Sequence, residues 1–214
     1  VNSSPHLNRR SFLKGLGTSA VAVASVQVGA VADELNKVSG PRPQGPGEVP
    51  VTLNINGEAR SFQLEPRVTL LDALRYHTPL TGTKEVCDRG TCGACSVLID
   101  GKLTYACMKL AIDAQEQKIT TVEGLSPNGT LTPVQQAFVE CDGLMCGFCT
   151  PGMVLAVTVL LEGNPHPNEE QVRHACSGNL CRCGTYPNVL RAAMKASGAD
   201  APPKFSLVNY GSVA

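Results

Sequence analysis

The chain has 214 residues, 18 basic against 18 acidic side chains, ten cysteines and no tryptophan. Zero formal net charge removes the electrostatic case for a nucleic-acid or anionic-membrane partner. Aromatics make up only 4%, which argues against a small-molecule substrate pocket of its own, and no G-x-G-x-x-G or Walker loop offers a nucleotide site.

Residues 1–32 read as an export signal. Asn8–Lys14 carries the paired Arg9-Arg10 of a twin-arginine signal, with Phe12-Leu13 following. A mildly apolar stretch, Leu16–Ala32, comes next and ends in Ala30-Val31-Ala32, an A-x-A cleavage signature. The rival reading is an uncleaved anchor. A membrane span needs about 20 predominantly apolar residues, and this stretch is shorter and diluted by Gly17, Ser19, Ser25 and Gln27. Cleavage after Ala32 leaves about 180 residues, enough for two small domains. Residues 33–50 form a linker, Pro- and Gly-rich from Ser39 onward.

The first domain is expected over 51–124. Val51–Ile55 alternates as a strand, Asn56-Gly57 signals a type I′ hairpin, and Ala59–Leu64 returns. Thr69 with Asp72 resembles a capping box for a helix carrying Leu70, Leu71 and Leu74 on one face. Then comes Cys87-x4-Cys92-x2-Cys95, and Cys107 follows beyond a hairpin turned at Asp100-Gly101. C-x4-C-x2-C…C is the plant-type spacing for a [2Fe–2S] cluster. Gly82, Gly90 and Gly93 bracket the first three cysteines and let backbone N–H groups turn toward sulfur. A zinc ribbon, the bland alternative, prefers two C-x2-4-C knuckles. Strands are expected at Ser96–Ile99, Lys102–Cys107 and Lys118–Val122. Two strands, a helix, the cysteine loop and further strands fit a β-grasp ferredoxin.

Glu123–Thr130 crosses to a second, helical domain over 130–197. Thr132-Pro133 caps a helix to about Cys141, and Thr150-Pro151 reads as N-cap and N1 of one to about Leu161. Asn168 caps a third through about Cys176, with Gly178 as its C′ residue. Tyr186-Pro187 opens a fourth, running to Ala196. Cys146-x2-Cys149 and Cys181-x-Cys183 fall just before the second and fourth helices. By spacing alone this set fits a zinc site, a redox dithiol or part of a disulfide framework. Two helix N-termini beside the same thiolates favour an anionic cluster over a neutral disulfide.

The stretches CDRGTCGACSVLIDGK, CGFCTPGM and SGNLCRCGTYPN resemble the iron–sulfur subunit of the molybdenum hydroxylases, a group including aldehyde oxidoreductases, xanthine dehydrogenases and isoquinoline oxidoreductases. The resemblance covers about Val51–Ala196. It implies an α+β chain: a β-grasp plant-type ferredoxin domain, then an all-α four-helix domain, each holding one [2Fe–2S] cluster. The first is assigned to Cys87, Cys92, Cys95 and Cys107, the second to Cys146, Cys149, Cys181 and Cys183. It further implies an oxidoreductase subunit with no catalytic residue of its own. Electrons would come from a large molybdopterin subunit that oxidises aldehydes or N-heterocycles and leave to an FAD subunit or a haem cytochrome. The second cluster would sit nearer the pterin. Met145 stands where the family often has Gln, and it donates no amide hydrogen bond.

The twin-arginine route moves folded proteins, so clusters built on reduced thiols would reach an oxidising periplasm intact. The membrane is met only in transit. Two other classes remain as alternatives: a stand-alone two-cluster ferredoxin, and a zinc- or disulfide-stabilised secreted binding module. Cys141 and Cys176 are expected to be buried structural thiols, and His77, His166 and His174 ordinary surface or packing residues. Arg182, between two ligands, either tunes the cluster by its charge or faces solvent or a partner. The tail 198–214 is expected either to be disordered or to lie along a partner.

Overall fold

The computed structural model describes residues 45–199. The expected export signal, most of the linker and nearly all of the tail lie outside the described residues. The chain opens with β1 (Val49–Ile55) and β2 (Glu58–Leu64). Asn56 and Gly57 between them take positive φ, 54° and 86°, as a type I′ turn requires. β1 begins two residues before the expected Val51 and so contains Pro50. The Thr52 N–H points away from β2, to Gln115 Oε1 at 3.1 Å. Pro50 lies two residues earlier and has the same orientation, so its missing N–H removes no β1–β2 bond.

Helix α1 (Leu70–Tyr76) buries Leu70, Leu71 and Leu74 against the sheet. Thr69 Oγ1 accepts from the Asp72 N–H at 3.1 Å. The Asp72 carboxylate takes the Thr69 hydroxyl at 2.8 Å, so the expected capping box is half formed. β3 (Ser96–Ile99) and β4 (Lys102–Tyr105) pair across Asp100-Gly101, both with positive φ. β4 stops short of the expected Cys107 because the chain turns into a 3-10 turn at Ala106–Met108. β5 (Lys118–Thr120) is likewise shorter than expected, since Val122–Leu125 is a 3-10 turn. The sheet order is β2-β1-β5-β3-β4, with β1–β5 parallel and the other pairs antiparallel.

Four further helices follow: α2 (Pro133–Glu140), α3 (Thr150–Gly163), α4 (Glu169–Cys176) and α5 (Tyr186–Ala196). Full capping boxes open α2, through Thr132 and Gln135, and α4, through Asn168 and Gln171. Two of the sequence expectations fail here. The N-cap of α3 is Cys149, not Thr150, whose hydroxyl is buried without a partner among the described residues. Gly178, after α4, is absent from the positive-φ residues, so it is not a left-handed cap. Its lack of a side chain has another cause, given below.

Among the described residues the class is α+β, a mixed sheet with five helices. Two apolar clusters hold it together. One joins Leu53, Ile55, Leu70, Leu74, Val97 and Ile119; the other joins Phe138, Met153, Val157, Val172 and Leu190. Each fully buried side chain of this size contributes about 1.5–3 kcal/mol. α3 packs on β3 and β4 as well as on α2 and α4, which brings the helical cysteine loops against the sheet. Among the described residues, no helix is long and apolar enough to cross a membrane.

Candidate metal centres

The β3–β4 hairpin gathers the first cysteine set. Its register pairs Ser96 with Tyr105, and the Ala106 N–H donates to the Cys95 carbonyl at 3.2 Å. Cys107 is thereby brought close to Cys95. Cys87 and Cys92 lie near each other on the loop between α1 and β3. Backbone donors turn inward: the Gly90 N–H to Cys107 Sγ at 3.2 Å and the Thr91 N–H to Cys87 Sγ at 3.4 Å. Gly90 and Gly93 take φ of 70° and 69°, as expected for a loop folded around sulfur. Gly82 does not; it is small because a Cβ there would strike Val122 Cγ1 and the Glu123 carboxylate.

The second set is likewise gathered: Cys146 lies near Cys183 and Cys181, and Cys149 near Cys181 and Cys146. Cys149 is the N-cap of α3. Cys181 lies just before α5, where the Thr185 N–H reaches its sulfur at 3.4 Å and the Thr185 hydroxyl at 3.1 Å. The Cys181 N–H donates to Tyr186 Oη at 2.7 Å. Both helix starts therefore face these thiols, as their sequence positions predict.

All ten cysteines are free thiols. A zinc site gathers four ligands about one ion, usually from two C-x2-4-C knuckles, whereas a [2Fe–2S] cluster spreads four cysteines over two irons. The four-residue gap between Cys87 and Cys92 suits the cluster.

Burial opposes ionisation of Cys87, but hydrogen bonds from the Thr91 hydroxyl, the Arg89 and Thr91 N–H groups and the Cys92 thiol bring it down to about 6. Burial and the neighbouring Cys181 push Cys149 up to about 12, while Thr185 and Cys149 bring Cys181 to about 7 against its own burial. Burial and Cys107 push Cys95 to about 12. One thiolate resists a second beside it; bound ferric iron would remove that resistance.

One groove of about 410 Å³ is walled by Cys92 of the first set and by Cys146, Cys149 and Cys181 of the second. Cys146 and Cys183 are exposed, whereas Cys92, Cys95 and Cys107 are buried. Around the exposed pair stand Leu144, Met145, Phe148 and Leu180, all large and solvent-facing, with Met145 72% exposed. Lys84 Nζ sits 5.6 Å over the Phe148 ring. Arg182 is exposed and lines the groove. Cys141 and Cys176 are buried at the ends of α2 and α4; burial alone raises Cys176 to about 11. His77 packs edge-on to Phe62, centroids 6.3 Å apart, and His166 and His174 are exposed.

Sequence reasoning missed three residues that hold the two sets in place. Tyr105, Glu123 and Asn179 make their contacts across 41 to 86 residues of chain, and no local motif signals such a contact.

Residues 53–125 match the family model described as a 2Fe–2S iron–sulfur cluster binding domain, and residues 121–194 match a [2Fe–2S] binding domain. The iron–sulfur-binding subunit of an aldehyde oxidoreductase from Escherichia coli O157:H7 is 39% identical, with 91% of each chain covered. This chain belongs to the family of [2Fe–2S] small subunits of the molybdenum hydroxylases. Within that family, the small FeS subunit of nicotinate dehydrogenase from Eubacterium barkeri is 44% identical over 70% of this chain and 95% of its own. Among solved structures, quinoline 2-oxidoreductase from Pseudomonas putida 86 superposes with a TM-score of 0.68 at 42% identity. It covers 71% of this chain and 94% of that one.

Proposed function

We propose that this chain is the electron-transfer subunit of an exported molybdenum hydroxylase, an oxidoreductase complex acting on aldehydes or N-heterocycles. One observation carries the reading: the fold brings the two cysteine sets together, with Cys92 of the first and Cys146, Cys149 and Cys181 of the second lining a single groove. Cys87, Cys92, Cys95 and Cys107 would hold one [2Fe–2S] cluster, and Cys146, Cys149, Cys181 and Cys183 the other. Each cluster, when bound, takes up and releases one electron. The chain's own residues do the rest. Gly90, Thr91 and Thr185 direct N–H donors at the ligand sulfurs, which favours the negatively charged form and bears on the potential.

The chain is read as a β-grasp unit over 51–124 and a four-helix unit over 130–197, a division that the two apolar clusters support. A stand-alone ferredoxin has no use for the apolar rim of Leu144, Met145, Phe148 and Leu180 beside the exposed Cys146 and Cys183. That rim fits the large molybdopterin subunit, on which the substrate chemistry takes place. The first set faces the outgoing acceptor, an FAD subunit or a cytochrome. Arg9-Arg10 and the Ala30-Val31-Ala32 signature support twin-arginine export to the periplasm. The span matched in the Escherichia coli subunit is also too long to fit within residues 45–214, so it includes part of this leader region.

The test is anaerobic purification of the complex from its host. A brown preparation with about four irons per small subunit and two distinct reduced-state paramagnetic signals is expected. Cys149→Ser should remove one signal and stop electron exit to the physiological acceptor. Zinc at these positions, or undiminished turnover in Cys149→Ser, defeats the reading.

A further inference from the structure

Three segments meet where the two cysteine sites adjoin: Cys92–Gly93 of the first loop, Gly152 in the first turn of α3, and Gly178–Leu180 just before Cys181. The Leu180 N–H donates to the Cys92 carbonyl at 2.9 Å. The Tyr105 hydroxyl donates to the Gly178 carbonyl at 3.1 Å. Between them Asn179, only 2% exposed, donates from Nδ2 to the Gly93 carbonyl at 2.9 Å.

No side chain fits in this seam. A Cβ on Gly93 would strike the Gly178 carbonyl oxygen and lie 2.6 Å from Asn179 Nδ2; one on Gly152 would lie 2.7 Å from the same nitrogen. A Cβ on Gly178 would strike the Tyr105 hydroxyl, and this explains why that position is glycine without a positive φ.

Local stability does not explain the asparagine. The Gly93 carbonyl already accepts the Ser96 N–H at 3.1 Å and the Ser96 hydroxyl at 2.7 Å, which fills its two lone pairs. Asn179 Oδ1 is buried and has no partner among the described residues, an arrangement that native interiors usually avoid. The amide supplies a bond its acceptor does not need and leaves its own oxygen unpaired. Its distinctive effect is geometric, since it ties the peptide between Cys92 and Cys95 to the residue two before Cys181.

We propose that Asn179 is a positioning residue that fixes the separation of the two cluster sites, with the Gly93–Gly178 approach as its stop. The inference rests on the two-cluster reading above. It is tested on the assembled complex, with iron content and paramagnetic resonance of the fully reduced clusters as readouts. Unsubstituted complex should show two signals split by each other's spin; fewer than two signals defeats the two-cluster reading itself. Asn179→Ala should keep about four irons per chain and both signals while losing the mutual splitting. Full iron with unchanged splitting overturns the proposal.

Gly178→Ala provides an independent arm should Asn179→Ala lose iron. Its Cβ pushes the seam against Tyr105, so the splitting should fall. Adding Tyr105→Phe should restore it, because the ring carbon Cζ lies 3.5 Å from that Cβ position, an ordinary contact. Unchanged splitting in Gly178→Ala, or no recovery in the double variant, also overturns the proposal.

Discussion

Glu123→Gln removes one charge at a point where three donors converge. The carboxylate accepts the Thr81 N–H at 3.0 Å, the Gly82 N–H at 2.7 Å and the Thr121 hydroxyl at 2.6 Å. It thereby ties the loop that leads to Cys87 to the crossing between sheet and helices. Burial alone would raise this carboxyl, but the Thr121 hydroxyl and the N–H groups of Glu123, Gly82 and Thr81 together hold it below its ordinary value. Glutamine keeps the shape, and its Oε1 can still accept the two N–H groups as neutral bonds, but its Nε2 only donates and cannot accept the Thr121 hydroxyl. Each of the three changes costs about 0.5–1 kcal/mol at a half-buried site, so the variant should lose about 2 kcal/mol in all. For a chain of this size that corresponds to a fall in Tm of roughly 4–8 °C.

The sign of the pH dependence follows from the lowered carboxyl. The stabilisation is fully present above the unfolded value of about 4.3 and is lost as pH falls through the lower folded value. The gap between wild type and variant should therefore be flat from pH 8 to about 5.5 and narrow only below about 4.3. Thermal unfolding of the cluster-loaded protein measures the gap, and hydrogen exchange should show faster opening at the Thr81 and Gly82 amides. Equal Tm values at pH 7 with equal protection of those two amides would refute the assignment of Glu123 as the tie.

Three further outcomes are expected. Gly82→Ala drives a Cβ into Val122 and Glu123, so denaturant titration should show a loss of about 1–3 kcal/mol from overpacking. Phe148→Ala removes an exposed aromatic beside the exposed Cys146; if Phe148 anchors the large subunit, association should weaken roughly 30-fold with iron content unchanged, as read by co-purification and binding titration. Cys141→Ala and Cys176→Ala should each retain about four irons per chain, whereas loss of iron from either would make that thiol a ligand.

What the sequence determined by itself was local. Asn56-Gly57 and Asp100-Gly101 set their turns because only a few residue types tolerate positive φ at both positions. Thr132 with Gln135 and Asn168 with Gln171 set helix starts because cap and partner lie three residues apart. The two cysteine sets were legible for the same reason, since loop spacing decides which thiols a cluster can reach.

The tertiary structure decided how the two sets adjoin. Thr150 looks like an N-cap in sequence, yet Cys149 takes that place; Gly178 looks like a helix stop, yet it is small to clear Tyr105. Asn179 reaches Gly93 across 86 residues and Tyr105 reaches Gly178 across 73. Such contacts exist only once α3 has packed on β3 and β4. Packing between distant segments leaves no periodic or spacing signal in the chain, because either partner alone is an unremarked asparagine, tyrosine or glycine.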